Sequence, residues 1–265
     1  MASGSAAAAL PALHAVEAPA AWRAVDFISD LHLSPALPRT TQAWADYLRT
    51  TAADAVFLLG DIFDAWVGDD ARTLAFPHQC MQVLAAAARR CTLGFMVGNR
   101  DFLLGPAMLS ACGMVGLADP TLLDAWGRRV VLSHGDALCL ADQRYQAFRQ
   151  QVRHPQWQAE FLARPLPERL AIAAEVRRQS QGRHQFDGEP DADLDVAAML
   201  AWMQAGGATE MVHGHTHRPG DELLASGFQR HVLSDWDLDD GAHPRAEVLR
   251  LTRDGFRRLR PADAG

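Results

Sequence analysis

"MVHGHTHRPG", residues 211–220, sets His213, His215 and His217 on alternate positions, behind two apolar residues and ahead of a Pro-Gly break. Three imidazoles so close together ask for a common target, and Gly214 lets the backbone turn closely beside it. The stretch ends an apolar run, "TEMVH" (209–213), of the kind that forms a buried strand. Four more such runs precede it: "AVDFIS" (24–29), "AVFLL" (55–59), "LGFMV" (93–97) and "RVVLS" (129–133). Each of the five is followed at once by Gly, Asp or His. Helix-like segments at 40–50, 73–90 and 192–205 lie between them, the last closed by Gly206-Gly207. Alternating strands and helices make an α/β fold, in which ligands gather beyond the carboxyl ends of the strands.

Those ends carry the candidate chemistry. Asp30 and His32 follow the first strand; two apart on extended chain, they face the same way. The second strand ends in Gly60-Asp61, with Asp64 suited to a helix cap or a supporting role. The third offers Asn99 as a neutral oxygen donor, Arg100 as a fork for anions and Asp101 as an orienting group. The fourth offers His134, with Asp136 placed to orient it. Taken singly, each has an ordinary explanation as a turn, a cap or a core histidine. Taken together, Asp30, His32, Asp61, Asn99, His134, His215 and His217 form a nitrogen and oxygen set without thiolate, which suits Mn²⁺, Fe²⁺ or Zn²⁺. Seven ligands exceed what one ion takes, and they fit two ions roughly 3.5–4 Å apart that share a carboxylate. Asp61, central in the series, is the expected bridge.

The remaining properties bound the reading. The chain has 265 residues, 49% of them hydrophobic and 22% charged, and no apolar run approaches the roughly 20 residues that span a bilayer. Thirty-two acidic against 25 basic residues give a net charge of −7, which argues against nucleic acid as a partner. Every basic residue is Arg, so each anion contact must use a guanidinium or a backbone donor. Cys80, Cys91, Cys112 and Cys139 show no C-x-x-C spacing and read as reduced thiols of a cytoplasmic protein. Residues 1–21 lack a basic leader region and are expected to be a disordered tail; 22–255 form the domain, 139–185 a helical insertion or lid punctuated by Pro155, Pro165 and Pro167, and 256–265 a ragged end.

"DLH" (30–32), "GD" (60–61), "GNRDF" (98–102), "HGD" (134–136) and "GHTH" (214–217), in this order, resemble the motifs of the calcineurin-like metallophosphoesterases. The resemblance implies a four-layer α/β sandwich, two sheets flanked by helices. It implies one ion on Asp30, His32, Asp61 and His217 and a second on Asp61, Asn99, His134 and His215, leaving His213 a structural role. Asp61, Asn99, Arg100 and His134 would be catalytic. Arg100 stands where the family commonly has His. An arginine does not donate a proton near neutral pH but grips phosphate oxygens with parallel bonds, which favours a leaving group that needs no proton, as in a pyrophosphate.

The longer stretches "FISDLHLSP" (27–35), "GDIFDAWVGDD" (60–70), "GNRDFLLG" (98–105), "YQAFR" (145–149) and "HGHTHRP" (213–219) are similar to one branch of that family, the pyrophosphatases of lipid A biosynthesis. That branch implies attack of a metal-bound hydroxide on the α-phosphorus of UDP-2,3-diacylglucosamine, usually with Mn²⁺, releasing UMP and 2,3-diacylglucosamine 1-phosphate. It implies substrate contacts at Asn99, Arg100, Phe102, Asp142, Tyr145, Ser180 and His215, with Arg183 or His184 replacing a family lysine, and work at the cytoplasmic face of the inner membrane. Between 144 and 183 eight Arg oppose three Glu, interleaved with Trp157, Phe161, Leu162, Leu166, Leu170 and Ile172. Such an element suits an acyl chain or an anionic bilayer surface. "SDW" (234–236) departs from the family, which has a small residue before the Trp. A different dinuclear phosphodiesterase or nucleotidase is the alternative, and would need no apolar lid.

Overall fold

The computed structural model describes residues 10–186, 192–225 and 227–265, the side chains of 180–186 excepted. In chain order the elements are β1 (His14–Glu17), β2 (Ala24–Ile28), α1 (Pro38–Thr50), β3 (Ala55–Leu59), α2 (Ala75–Ala88), β4 (Thr92–Met96), α3 (Pro106–Cys112), β5 (Val115–Leu117), β6 (Thr121–Ala125) and β7 (Arg128–Ser133). There follow α4 (Gln143–Val152), α5 (Pro155–Leu162), α6 (Leu166–Phe186), α7 (Val196–Gly206), β8 (Glu210–His213), β9 (Gly220–Ala225), β10 (Phe228–Val232), β11 (Val248–Thr252) and β12 (Gly255–Leu259). The strands form two mixed six-stranded sheets, β12-β11-β2-β3-β4-β5 and β1-β6-β7-β8-β10-β9.

The two sheets pack face to face. In "AVFLL" the residues alternate: Ala55, Phe57 and Leu59 point between the sheets and meet Leu123, Val130, Leu132 and Val212 of the second sheet. Val56 and Leu58 point the other way, into a cluster with Trp44, Leu84 and Met108 of α1, α2 and α3. On the far side of the second sheet Val131 and Met211 pack on Met199 and Met203 of α7. The result is a helix–sheet–sheet–helix sandwich in which both faces of each central strand are buried, and so the strands read as continuous apolar runs. All five expected strands are present within one or two residues of their expected ends.

The termini differ from expectation. Residues 14–17 of the expected tail form β1, which pairs in parallel with β6, while 1–9 lie outside the described residues. The expected ragged end holds β12, paired antiparallel with β11, and Ala264 is fully buried, its carbonyl accepting from the Arg250 guanidinium at 2.7 Å and the Ala52 amide at 3.0 Å. Both strands lie at sheet edges. Short and mixed with charge, each adds main-chain pairing and one apolar side chain, Val16 or Phe256, to the core between the sheets, too little for an apolar pattern that could be read in advance.

Candidate metal centre

The five expected ligand-bearing turns meet at the carboxyl ends of β2, β3, β4, β7 and β8, laced by main-chain bonds. Asp30 N–H donates to Gly60 O (3.1 Å), His32 N–H to Asp61 O (3.0 Å) and Gly214 N–H to His134 O (3.0 Å). Asp101 ties two of the turns together. Its carboxylate accepts from the amides of Gly98 (2.7 Å), Ile62 (2.8 Å) and Asp61 (3.3 Å), so it orients backbone, as expected of it.

The convergence does not come from extended chain. Asp30, His32, Asp61, His215 and His217 all have φ between +48° and +69°, and Trp126 is the single other non-glycine residue with positive φ among the described residues. Pairs two apart therefore converge through left-handed turns, a correction to the strand geometry expected for Asp30/His32 and His215/His217. Each such residue costs about 1–3 kcal/mol and persists only where surrounding structure over-determines it. Gly214 is needed for close approach: a Cβ there would lie 2.3 Å from both Asp30 Oδ2 and Ser29 Oγ.

The side chains form two overlapping clusters, Asp30/His32/His217 and Asp30/Asp61/His134, each with ligand atoms within 4.8 Å of one another. The residue common to both is Asp30 rather than Asp61. Asp61 nevertheless faces both, with Oδ2 4.0 Å from His32 Nδ1 and Oδ1 3.7 Å from His134 Nε2. Asn99 Oδ1 lies 2.9 Å from both His134 Nε2 and His215 Nδ1. His134 is oriented by the carbonyl of Leu59, 2.9 Å from its Nδ1, not by Asp136 as expected. Asp136 instead accepts from Tyr145 Oη (2.6 Å) and Arg149 Nε (2.8 Å), docking α4 beside the site.

A cation fits this set. Among the described residues Asp30 Oδ1 and His32 Nδ1 are buried without a hydrogen-bond partner, and His32 and His217 meet Nε2 to Nε2 at 3.2 Å, where one nitrogen must donate and the other accept unless a cation takes both lone pairs. Orphaned buried groups each cost about 1–3 kcal/mol unless something binds them. Burial holds the His32 imidazole neutral, down to about 3, and lowers His215 to about 4, so both offer lone pairs at neutral pH. Burial, helped by the charges of Asp101 and Asp30, pushes Asp61 up to about 7 against the pull of His134; burial opposes protonation of His134, but the carboxylates of Asp61, Asp30 and Asp136 raise it to about 9. Positive charge is what this pocket lacks. His213 stays out of it: fully buried, its Nδ1 lies 2.9 Å from Gly214 O.

A family model described as calcineurin-like phosphoesterase matches residues 24–219. The chain belongs to the calcineurin-like phosphoesterase family. This phosphoesterase is 43% identical over 235 residues to the UDP-2,3-diacylglucosamine hydrolase of Bordetella pertussis, covering 86% of this chain and 91% of the relative. It is 42% identical over 241 residues to the protein of the same name from Xanthomonas oryzae pv. oryzae, covering 86% and 95%. A solved phosphoesterase from E. coli, Yfce, aligns with a TM-score of 0.44 and 17% identity over 91% of this chain and 95% of that one. As a member of the family the phosphoesterase is a hydrolase, and its clusters are suited to divalent metal.

Around the centre the expected substrate residues fall unevenly. Half-buried Arg100 donates its backbone N–H to Asp61 Oδ1 (2.7 Å); among the described residues its guanidinium makes no hydrogen bond, and its charge acts on the Asp61 carboxylate. Phe102 sits 6.2 Å from the Trp157 ring and under the Arg153 guanidinium at 5.5 Å. The Tyr145 ring lies 5.9 Å from His215. Asp142 is exposed and caps α4, accepting from Tyr145 N–H at 2.8 Å. Ser180, Arg183 and His184 lie outside the described side chains. Two contributors escaped the sequence reading: Arg153, which donates to Gly98 O at 2.8 Å, and Asp235, whose carboxylate lies 3.7 Å from His217 Nδ1. The single signal for either was the departure at "SDW".

The insertion is braced to the site more than its composition suggested. Arg149 and Arg153 face Asp136, Arg169 binds Asp70 and the Val67 carbonyl, and Arg177 binds Asp64. Much of the excess positive charge is thus used internally. Trp157, Phe161, Leu166 and Ile172 pack on the core, whereas Leu140, Phe148, Leu162, Leu170 and Val176 are exposed.

Proposed function

We propose that the protein hydrolyses the pyrophosphate bond of UDP-2,3-diacylglucosamine, giving UMP and 2,3-diacylglucosamine 1-phosphate, with two divalent ions, Mn²⁺ in the first instance. The observation that carries the reading is a half-buried Arg100, tied to Asp61 Oδ1 through its backbone N–H and making no side-chain hydrogen bond among the described residues, beside two carboxylate–imidazole clusters. Asp30, His32, Asp61 and His217 would hold one ion and Asp61, Asn99, His134 and His215 the other; Asp61 presents Oδ2 toward His32 and Oδ1 toward His134. Bound there, the ions would supply Lewis acidity, lowering the pKa of water and polarising phosphoryl oxygens. The chain's own groups do the rest. Arg100 grips the diphosphate with a planar fork and, as it cannot act as an acid, selects for a phosphate leaving group. Asn99 Oδ1 faces His134 Nε2 at 2.9 Å, and the Leu59 carbonyl at 2.9 Å from Nδ1 keeps a proton on that nitrogen and turns Nε2 inward. Asp101 holds the Asp61 and Gly98 turns in register through their amides.

The exposed apolar side chains of α4, α5 and α6 and the preceding turn support a covering role over the acyl chains and contact with the membrane surface. Among the described residues no helix is long and apolar enough to cross a membrane. The test is incubation with UDP-2,3-diacylglucosamine and Mn²⁺ with chromatographic detection of the nucleotide. UMP is expected; UDP, or hydrolysis of bis-p-nitrophenyl phosphate in preference to the lipid-linked nucleotide, refutes the assignment. Loss of bound metal in Asp61→Ala checks the centre separately.

A further inference from the structure

We infer that Asp235 is a positioning residue for His217, and that the Arg245–Asp235–His217 chain sets the metal affinity of the centre. The inference rests on the metal reading of the site and adds a residue to it. Of the seven ligand candidates His217 is the exposed one, with 39% of its side chain open to solvent, so its ring is the least constrained by packing. Its Nε2 faces inward, 3.4 Å from Asp30 Oδ1 and 3.2 Å from His32 Nε2. Its Nδ1 faces Asp235 Oδ2 at 3.7 Å.

A ligand imidazole works best when its outer N–H is held by an acceptor, because that fixes the tautomer, leaves the inner lone pair for the ion and makes the ring more basic. For His134 the Leu59 carbonyl fills this place. His217 has no main-chain acceptor at Nδ1 among the described residues, and Asp235 stands there instead.

Asp235 is itself immobilised. Its side chain is 5% exposed, and Arg245 Nε donates to both carboxylate oxygens at 2.8 Å, with Nη2 adding a bond to Oδ2. Arg245 is in turn fixed by paired main-chain bonds with Asp237, at 2.8 and 3.0 Å. The next residue, Trp236, donates its N–H to the Asp30 carbonyl at 3.1 Å, so the segment is registered against the same ligand turn that His217 faces. This gives Asp235 of "SDW" a purpose: it places a carboxylate facing the outer nitrogen of the most exposed candidate ligand, at 3.7 Å.

Mn²⁺ affinity, measured by chelator competition on full-length protein alongside the urea midpoint, tests the inference. Asp235→Ala and Asp235→Asn are expected to weaken binding about 10–100-fold, Asp235→Glu to recover part of the loss, and Arg245→Ala, which keeps the carboxylate, to weaken it less. Equal affinity in wild type and Asp235→Ala overturns the inference while leaving the metal centre standing. An equal loss in Arg245→Ala and Asp235→Ala also overturns it, because integrity of the loop alone would then explain both. Wild-type protein that binds no Mn²⁺ overturns the metal reading and the inference with it.

Discussion

Replacing Gly214 by alanine puts a methyl carbon 2.3 Å from Asp30 Oδ2 and from Ser29 Oγ, where ordinary contact begins near 3.4 Å. About 1 Å of movement is required, and neither neighbour can yield it freely. Asp30 and Ser29 are fully buried, the Asp30 backbone is already left-handed, and Asp30 Oδ2 is committed to Ser29 Oγ at 2.5 Å and His215 N–H at 2.9 Å. The shift therefore passes to Asp30 Oδ1 and to His215. A displacement of about 1 Å at a reacting centre costs on the order of 100-fold in rate, or about 2.7 kcal/mol of transition-state stabilisation. Overpacking should remove about 1–3 kcal/mol of stability besides. The assay is kcat for UDP-2,3-diacylglucosamine at saturating Mn²⁺, with urea unfolding in parallel. Gly220→Ala supplies the control six residues on, since nothing lies within 4 Å of a Cβ there and its φ is not positive. It should keep full activity. If Gly214→Ala stays within threefold of wild type in kcat, close approach at this glycine is not what holds Asp30.

Three further outcomes are expected. Asp26 is fully buried and bound by Arg250 (2.6 and 2.9 Å), Tyr47 Oη (2.9 Å) and Thr51 Oγ1 (2.9 Å), so Arg250→Ala strands a buried carboxylate and should cost about 3–5 kcal/mol in urea unfolding; a loss under about 1 kcal/mol contradicts this. Asp136→Ala releases Tyr145 and Arg149 of α4. It should raise KM about tenfold, the worth of one charge-assisted bond, and leave metal content unchanged, whereas loss of metal with constant KM would assign Asp136 to the centre instead. Burial pushes the Cys80 and Cys112 thiols up to about 12, above an unfolded value of about 8.5, so their neutral form stabilises the fold fully below that value and the contribution is lost as pH rises toward 12. Iodoacetamide at pH 8 should therefore modify both only after unfolding, and the decline of the urea midpoint between pH 8 and pH 10.5 should shrink in Cys80→Ala/Cys112→Ala; rapid native labelling of either would show the burial to be wrong.

That the candidates come together was legible because each sits within one to four positions of the end of an apolar run, and parallel strands deliver the residues that follow them to the same sheet edge. How the ligands turn inward was not. Left-handed φ at Asp30, His32, Asp61, His215 and His217 is imposed by hydrogen bonds between turns that are distant in sequence, such as His32 N–H to Asp61 O, and local propensity opposes it. The insertion's charge was legible only in part. Its eight Arg read as an excess of positive charge, yet Asp64, Asp70 and Asp136, scattered over 73 positions, neutralise several of them. Charge counted along a segment cannot see partners that the fold brings to it.

By itself the sequence determined the strands, the order of their ligand-bearing ends and the chemistry that such ends can support, since these depend on residue type and on spacing within a few positions. Tertiary structure alone decided that Phe57 meets a second sheet while Leu58 meets helices, that "HAVE" and "GFRRL" are strands, and that Asp235 reaches His217. The physical reason is common to all three. Burial of an apolar face is non-directional, so a strand covered on both sides reads the same whichever layer covers it, and a carboxylate acquires its partner through chain closure rather than through anything written beside it.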